Sequence, residues 1–254
     1  MKVKENEIII EDDSIIIDEN ASLIFGFAGV GLIGIIIANT MIDQIEDIKQ
    51  IGYVASIDLP PIAVFYDGVL KHPFRIYYSK KYNLIIGICE VPFETDSAYS
   101  DLSELICKWA LKNKIKEIII FQGILKQGIP DDFDVYFAAE EDKTDSLKEF
   151  EIKQVRRGII VGPGATFLNR ALSNRIDAYA LFSEVSQYPT PEAAAVILDK
   201  LNKIYGLEID TSKLLEEGKK IKNKMLELAN KARQYQRKHL KGASKEEDYT
   251  RYYQ

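Results

Sequence analysis

The sequence predicts an α/β fold, a three-layer α/β/α sandwich around a largely parallel sheet, followed by a long C-terminal helix and a flexible tail. Three observations carry that reading. Strand-like runs alternate with segments of helical spacing about ten to fifteen residues long, the pattern of a sheet with covering helices. The runs Ile24–Phe27, Ile85–Ile88 and Ile118–Phe121 are almost continuously apolar, as strands covered on both faces must be. With 254 residues, 46% hydrophobic and 28% charged, the chain can bury a sizeable core and is neither disordered throughout nor fibrous.

Taken in order, Ile8–Ile10 and Ser14–Ile17 are two β-rich runs split by acids, which suits an N-terminal β-hairpin. Ser22–Ala28 reads as a strand running into glycines, and Leu32–Ile48 has helical length and spacing. Gln50–Ile57 and Leu84–Val91 read as strands. Between them, Ile62–Tyr78 is aromatic and β-branched around an Asp67-Gly68 turn signal, so it reads as paired strands. In Ala98–Asn113 the residues Leu102, Leu105, Ile106 and Trp109 recur at helical spacing. Strands at Glu117–Gly123, Val135–Ala139, Gly158–Val161 and Ala178–Glu184 then alternate with helices at Thr166–Leu172 and Pro191–Tyr205.

The character changes after residue 210, which is taken as the end of the core domain, residues 1–210. Thr211–Lys241 has no proline and only Gly218 as a breaker, so it can form a helix of roughly 45 Å. Leu214, Ile221, Met225 and Leu228 fall on one a/d seam, which predicts packing against a partner, a second copy of this chain included. The same helix carries ten Lys/Arg against three acids in a chain whose net charge is -6. That leaves an acidic body, to which a basic helix is attracted within or between subunits. Nucleic-acid binding through the helix is the weaker reading, because one face is already committed to packing. Residues 242–254 are too polar to fold alone and read as a flexible tail.

The chemistry-bearing motifs are few. Gly29-Val30-Gly31-Leu32-Ile33-Gly34 matches GxGxxG between a strand and a helix, the setting of a dinucleotide site, with Asp58 as a candidate ribose acceptor. The same glycines serve any tight strand-to-helix turn packed on a sheet, and that architectural reading is preferred. Neither a GxSxG elbow nor a GxxxxGK[ST] loop occurs. Gly162–Thr166 reads as a loop entering a helix. His72 lacks an arranged nucleophile and reads as a turn residue, Cys107 as a packed small residue, and Glu90, Glu94, Asp96 and Asp101 as loop and helix-start acids. Cys89 and Cys107 form no CxxC pair and the chain has two histidines, so no metal and no cofactor is expected. Apolar runs of three residues broken by acids at the N-terminus suit neither a leader nor a membrane span, and the chain is read as cytoplasmic.

Four stretches together resemble the proteasome assembly chaperone 2 family, its archaeal members in particular: GFAGVGLIG from Gly26, LPPIAVFYDGVLKHPFRIYY from Leu59, EVPFETDSAYSDLSELICKWA from Glu90 and SEVSQYPTPEAAAVILDKLNKIYGLEID from Ser183. The resemblance implies a fold similar to nucleoside phosphorylases or hydrolases without a known catalytic site, and a homo- or hetero-oligomeric scaffold. Tyr252-Tyr253-Gln254 resembles the hydrophobic-tyrosine-any-residue terminus by which proteasome activators dock. That likeness implies that the Gln254 carboxylate meets a lysine between adjacent α subunits, that Tyr253 packs and hydrogen-bonds beside it, and that Tyr252 covers apolar surface. The expected function is therefore a non-enzymatic, ATP-independent chaperone or activator docking on the α ring of the proteasome core particle. A homo-oligomer is expected, with a related family member as a conceivable co-subunit. The alternative is an enzyme or binding protein for a nucleoside-like ligand at Gly29–Gly34.

Overall fold

The computed structural model describes residues 6–12, 14–93, 95–128, 130, 132–224 and 227. Among the described residues up to Tyr205, eleven strands and five α-helices follow in the order β1 (Glu7–Ile10), β2 (Ser22–Phe27), α1 (Ile33–Gln44), β3 (Lys49–Ala55), β4 (Val64–Tyr66), β5 (Val69–Lys71), β6 (Phe74–Ser79), β7 (Leu84–Cys89), α2 (Asp96–Lys112), β8 (Glu117–Leu125), β9 (Tyr136–Ala139), α3 (Glu141–Glu149), β10 (Lys153–Gln154), α4 (Pro163–Asn174), β11 (Asp177–Val185) and α5 (Pro191–Tyr205). Nine strands form one sheet in the order β1-β3-β6-β7-β2-β8-β11-β9-β10, and β4 and β5 form a separate hairpin.

The expected buried strands β7, β2 and β8 are adjacent at the centre and run parallel, with β11 parallel beside β8. The flanks are mixed: β6, β3 and β1 pair antiparallel in succession, as does β9 with β11. Side chains alternate across the sheet with the two-residue period of a strand. Ile24, Ile86, Ile119 and Leu181 face α1 and α5, meeting Ile37, Met41, Ala194 and Leu198. Leu23, Phe25, Ile85 and Ile118 face α2 and α4, meeting Leu102, Ile106, Phe167 and Ala171. Each layer of helices thus covers one half of the apolar surface, which makes the sandwich.

Helix ends follow local chemistry. The Thr95 hydroxyl accepts from the Ala98 N–H at the start of α2, Pro163 and Pro191 open α4 and α5, and Gly206 at φ 65° closes α5 in the left-handed region. In the β4–β5 hairpin Asp67 and Gly68 both have positive φ, the turn that matches the right-handed twist of paired strands.

Two expected strands are absent. Residues 14–17 are not a strand, so there is no N-terminal hairpin; β1 pairs instead with β3, Ile8 opposite Val54, while Ile15 and Ile17 pack against the α2 side of the core. Residues 158–161 are irregular rather than a strand, and all but the half-buried Ile160 are exposed. The ladder ends when the Val155 N–H donates to the Phe137 carbonyl, after which the chain leaves the sheet for α4. Helix α3 was not foreseen, because EDKTDSLKE buries only Leu147.

The first compact unit ends at Leu214. Of the expected basic helix, residues 212–224 and 227 are described and helical. Leu214 belongs to the core on the α1 and α5 face, and Ile221 is half-buried. Met225 and Leu228 lie outside the described residues, as do residues 242–254 with Tyr252, Tyr253 and Gln254. No described helix is long and apolar enough to cross a membrane.

Candidate docking surface

Protein packs closely on two of the loop's three glycines, Gly31 and Gly34, whereas Gly29 faces open space. Gly31 is buried at φ 70°, where a Cβ would stand 2.7 Å from Val185 Cβ. A Cβ on Gly26 would stand 2.4 Å from the Gly34 carbonyl oxygen, so the pair lets α1 press directly on β2. The Gly31 carbonyl accepts the Thr190 N–H at 3.0 Å. Asp58 is not brought to this loop: β6 and β7 separate β3 from β2, and Asp58 instead accepts from the Asn6 amide at 3.2 Å. The motif's geometry is that of a packed strand-to-helix turn.

The other singled-out residues take structural positions. The His72 ring stacks on Tyr53 with centroids 3.5 Å apart, and its carbonyl accepts from Arg75. Cys89 and Cys107 are fully buried, and burial pushes their thiols up to about 12 and about 11, away from nucleophilic use at neutral pH. Asp96 and Asp101 are exposed on the first turns of α2, and Glu94 lies outside the described residues. Gly162, at φ 94°, precedes α4 as a turn residue. Among the described residues no group of three or more His, Cys, Asp or Glu could hold a metal ion.

Two buried polar clusters escaped the sequence reading, since each joins residues distant along the chain. At the start of β8, buried Glu117 accepts from Lys143 at 2.7 Å, Ser22 at 2.8 Å and Tyr205 at 3.1 Å, and Tyr205 meets Tyr179 at 2.9 Å. These bonds fasten α3 and α5 to the sheet. At the other end, Arg75 is 2% exposed and lies 2.7 Å from Glu90, while the Tyr66 hydroxyl donates to Glu90. This second cluster anchors the β4–β5 hairpin.

What the hairpin presents is apolar. Phe65 and Leu70 are cross-strand partners and are 66% and 74% exposed, with Ile57, Ile62 and Val69 also exposed nearby in the chain. At the ends of the parallel strands Val30, Leu32 and Leu125 are exposed too. A two-stranded hairpin is marginal alone, and these exposed apolar side chains make its surface a candidate for docking. The sequence signal was the aromatic hairpin itself; what it could not give was that both members of the Phe65–Leu70 pair stay uncovered.

Comparison with known proteins bears on the same question. The model of the PAC2 family matches residues 23–229. The crystal structure of Pyrococcus furiosus PbaA, an archaeal homolog of proteasome-assembly chaperone, is similar at 27% identity and a TM-score of 0.79, covering 99% of this chain and 100% of that one. Pyrococcus furiosus PbaB, an archaeal proteasome activator, shares the fold at 22% identity and a TM-score of 0.77, covering 89% of this chain and 99% of that one. An uncharacterized protein of Methanocaldococcus jannaschii is 28% identical over 229 residues, covering 89% of this chain and 90% of its own length.

Proposed function

The chain belongs to the PAC2 family, and from that premise we propose that it acts as a non-enzymatic proteasome assembly chaperone or activator, binding the α ring of the core particle. The observation that carries the proposal is similarity over the whole chain to PbaA, at 27% identity. The apolar hairpin and strand ends support it, because a protein that works by docking needs uncovered surface rather than a reaction cleft. Val185 packed against Gly31 favours an architectural role for that glycine over the nucleoside-ligand reading.

In this proposal Tyr252, Tyr253 and Gln254 form the docking motif, and several copies of the chain present several motifs at once in the cytoplasm. One tyrosine in a pocket supplies about 1.5–3 kcal/mol, too little by itself against the cost of association. Linked motifs make later contacts intramolecular and raise avidity by about 10² to 10⁴. The test is pull-down on purified α rings with the full chain and with a variant lacking Tyr252–Gln254. Retention by the full chain and loss by the variant support the proposal, and equal retention refutes the motif.

A further inference from the structure

Two exposed features of this molecule complement each other. The first is the strap between β10 and α4. Arg156 and Arg157 are exposed on it, with no hydrogen-bond or ion-pair partner among the described residues. Ile159 and Val161 follow at 92% and 76% exposure. An isoleucine this bare beside two unpaired arginines is the composition of an interface rim and core, since apolar residues and arginine are the types that contacts concentrate. The six residues reach about 20 Å when extended.

The second feature is a cleft of about 380 Å³ beside β1, where Ile57 and Leu105 supply apolar lining, Asp58, Asp101 and Glu104 supply acid, and Lys108 supplies one positive charge. Glu104 is already paired with Lys108 and Arg170. Asp58 and Asp101 have no cation partner among the described residues, and the Asn6 side-chain oxygen at the same cleft is buried without a hydrogen-bond donor. With three acids against one lysine, itself paired with Glu104, the cleft carries an excess of acid and a buried acceptor without a donor, and the strap offers cationic donors with an apolar side chain between.

We propose that the strap Arg156–Val161 of one copy docks in the Ile57–Asp58 cleft of a second copy, the arginines meeting Asp58 and Asp101 and Ile159 covering Ile57 and Leu105. The strap leaves the β10 edge of the sheet and the cleft opens beside β1, the opposite edge. Pairing of unlike patches on identical chains is heterologous, so the contact propagates head to tail and closes into a ring when the rotation allows. This deepens the reading of the chain as an oligomeric scaffold, and it names the surface that builds the oligomer.

The experiment is sedimentation of the full chain as wild type, Arg156→Glu/Arg157→Glu, Asp58→Arg/Asp101→Arg, and all four changes together. Wild type is expected to sediment as an oligomer whose self-association weakens with salt. Each double variant should raise the self-dissociation constant by at least ~100-fold through like-charge contact, and the fourfold variant, with both charges exchanged, should return to within about tenfold of wild type. Ile159→Asp gives a second, independent disruption at a side chain that touches little of its own chain. A wild-type monomer, an unchanged mass in either double variant, or no recovery on combination overturns the proposal. Binding to α rings through Tyr253 is measured separately, so a chain that binds the ring while its mass ignores these charges refutes this interface and leaves the function standing.

Discussion

Arg75 Nη1 lies 2.7 Å from Glu90 Oε2, and this pair holds the exposed hairpin at both of its ends. On one side the Tyr66 hydroxyl donates to Glu90, and the Arg75 guanidinium lies over the Tyr66 ring at 5.6 Å. On the other, Arg75 donates to the His72 carbonyl at 2.7 Å and to the Tyr77 hydroxyl at 3.0 Å. The guanidinium fork can satisfy several acceptors at once in a fixed plane, which an ammonium cannot. A hairpin with so little apolar contact of its own is thereby set in one orientation.

From this follows a double-mutant cycle. Arg75→Met leaves Glu90 buried without its cation and should cost about 3–5 kcal/mol, whereas Arg75→Met with Glu90→Leu should recover most of the loss. Denaturant unfolding of the four proteins measures it. Equal losses for the single and double variants would mean that the pair does not act as a unit.

The glycine loop gives a prediction of opposite kind to a binding site. Gly31→Ala must adopt φ 70° and insert a Cβ beside Val185, so it should destabilise by about 2–4 kcal/mol from left-handed strain and overpacking together. Nicotinamide and adenine nucleotides should leave the melting temperature of the wild type unchanged. A saturable nucleotide-dependent rise, lost in Gly31→Ala, would restore the nucleoside reading.

These two sites mark how far the sequence could be read. Strands β2, β7 and β8 were legible because a strand covered on both faces is apolar throughout, and α5 because Pro191 and Gly206 bracket it. The GxGxxG pattern was legible too, but what fills the space over Gly31 is a valine on β11, which no local pattern records. Arg75 and Glu90 meet only because β6 and β7 pair with Arg75 opposite Ile88. Helix α3 was missed because its stripe is almost wholly polar, and residues 158–161 were misread because apolar residues kept for an outer surface look like those of a strand.

Acid sensitivity should centre on Glu117. Burial raises its carboxyl, but the bonds from Lys143 and Ser22 and the charges of Lys143 and Lys116 together outweigh burial and hold it below its ordinary 4.5. A depressed folded-state value means the stabilisation is present above 4.5 and is lost as pH falls from there through the folded value. Lys143 is shifted the other way: burial lowers it, but the Glu117 hydrogen bond and charge, helped by Asp177, raise it above 10.5. Its contribution is full below 10.5 and fades as pH rises beyond. Melting temperature against pH should therefore fall on the acid side less steeply in Glu117→Gln than in wild type, from a lower plateau at neutral pH. Parallel acid limbs would assign the acid transition to other carboxylates.

Thiol chemistry offers a check on the packing. Cys89 and Cys107 are fully buried with raised thiols, so a disulfide reagent at pH 8 should label neither until the chain opens. Labelling should follow the unfolding curve in denaturant. Rapid labelling of Cys107 in the native protein would show that α2 is not seated on the sheet as described.

The measurement that bears most directly on the proposed function is binding of the full chain to immobilised proteasome α rings, compared with Tyr253→Ala at matched oligomer mass. With several motifs acting together, wild type should be retained, and the tyrosine change should lower affinity by about 10² or more, because each copy loses its anchor at once. Equal binding of wild type and Tyr253→Ala, or no binding by either, would contradict the account.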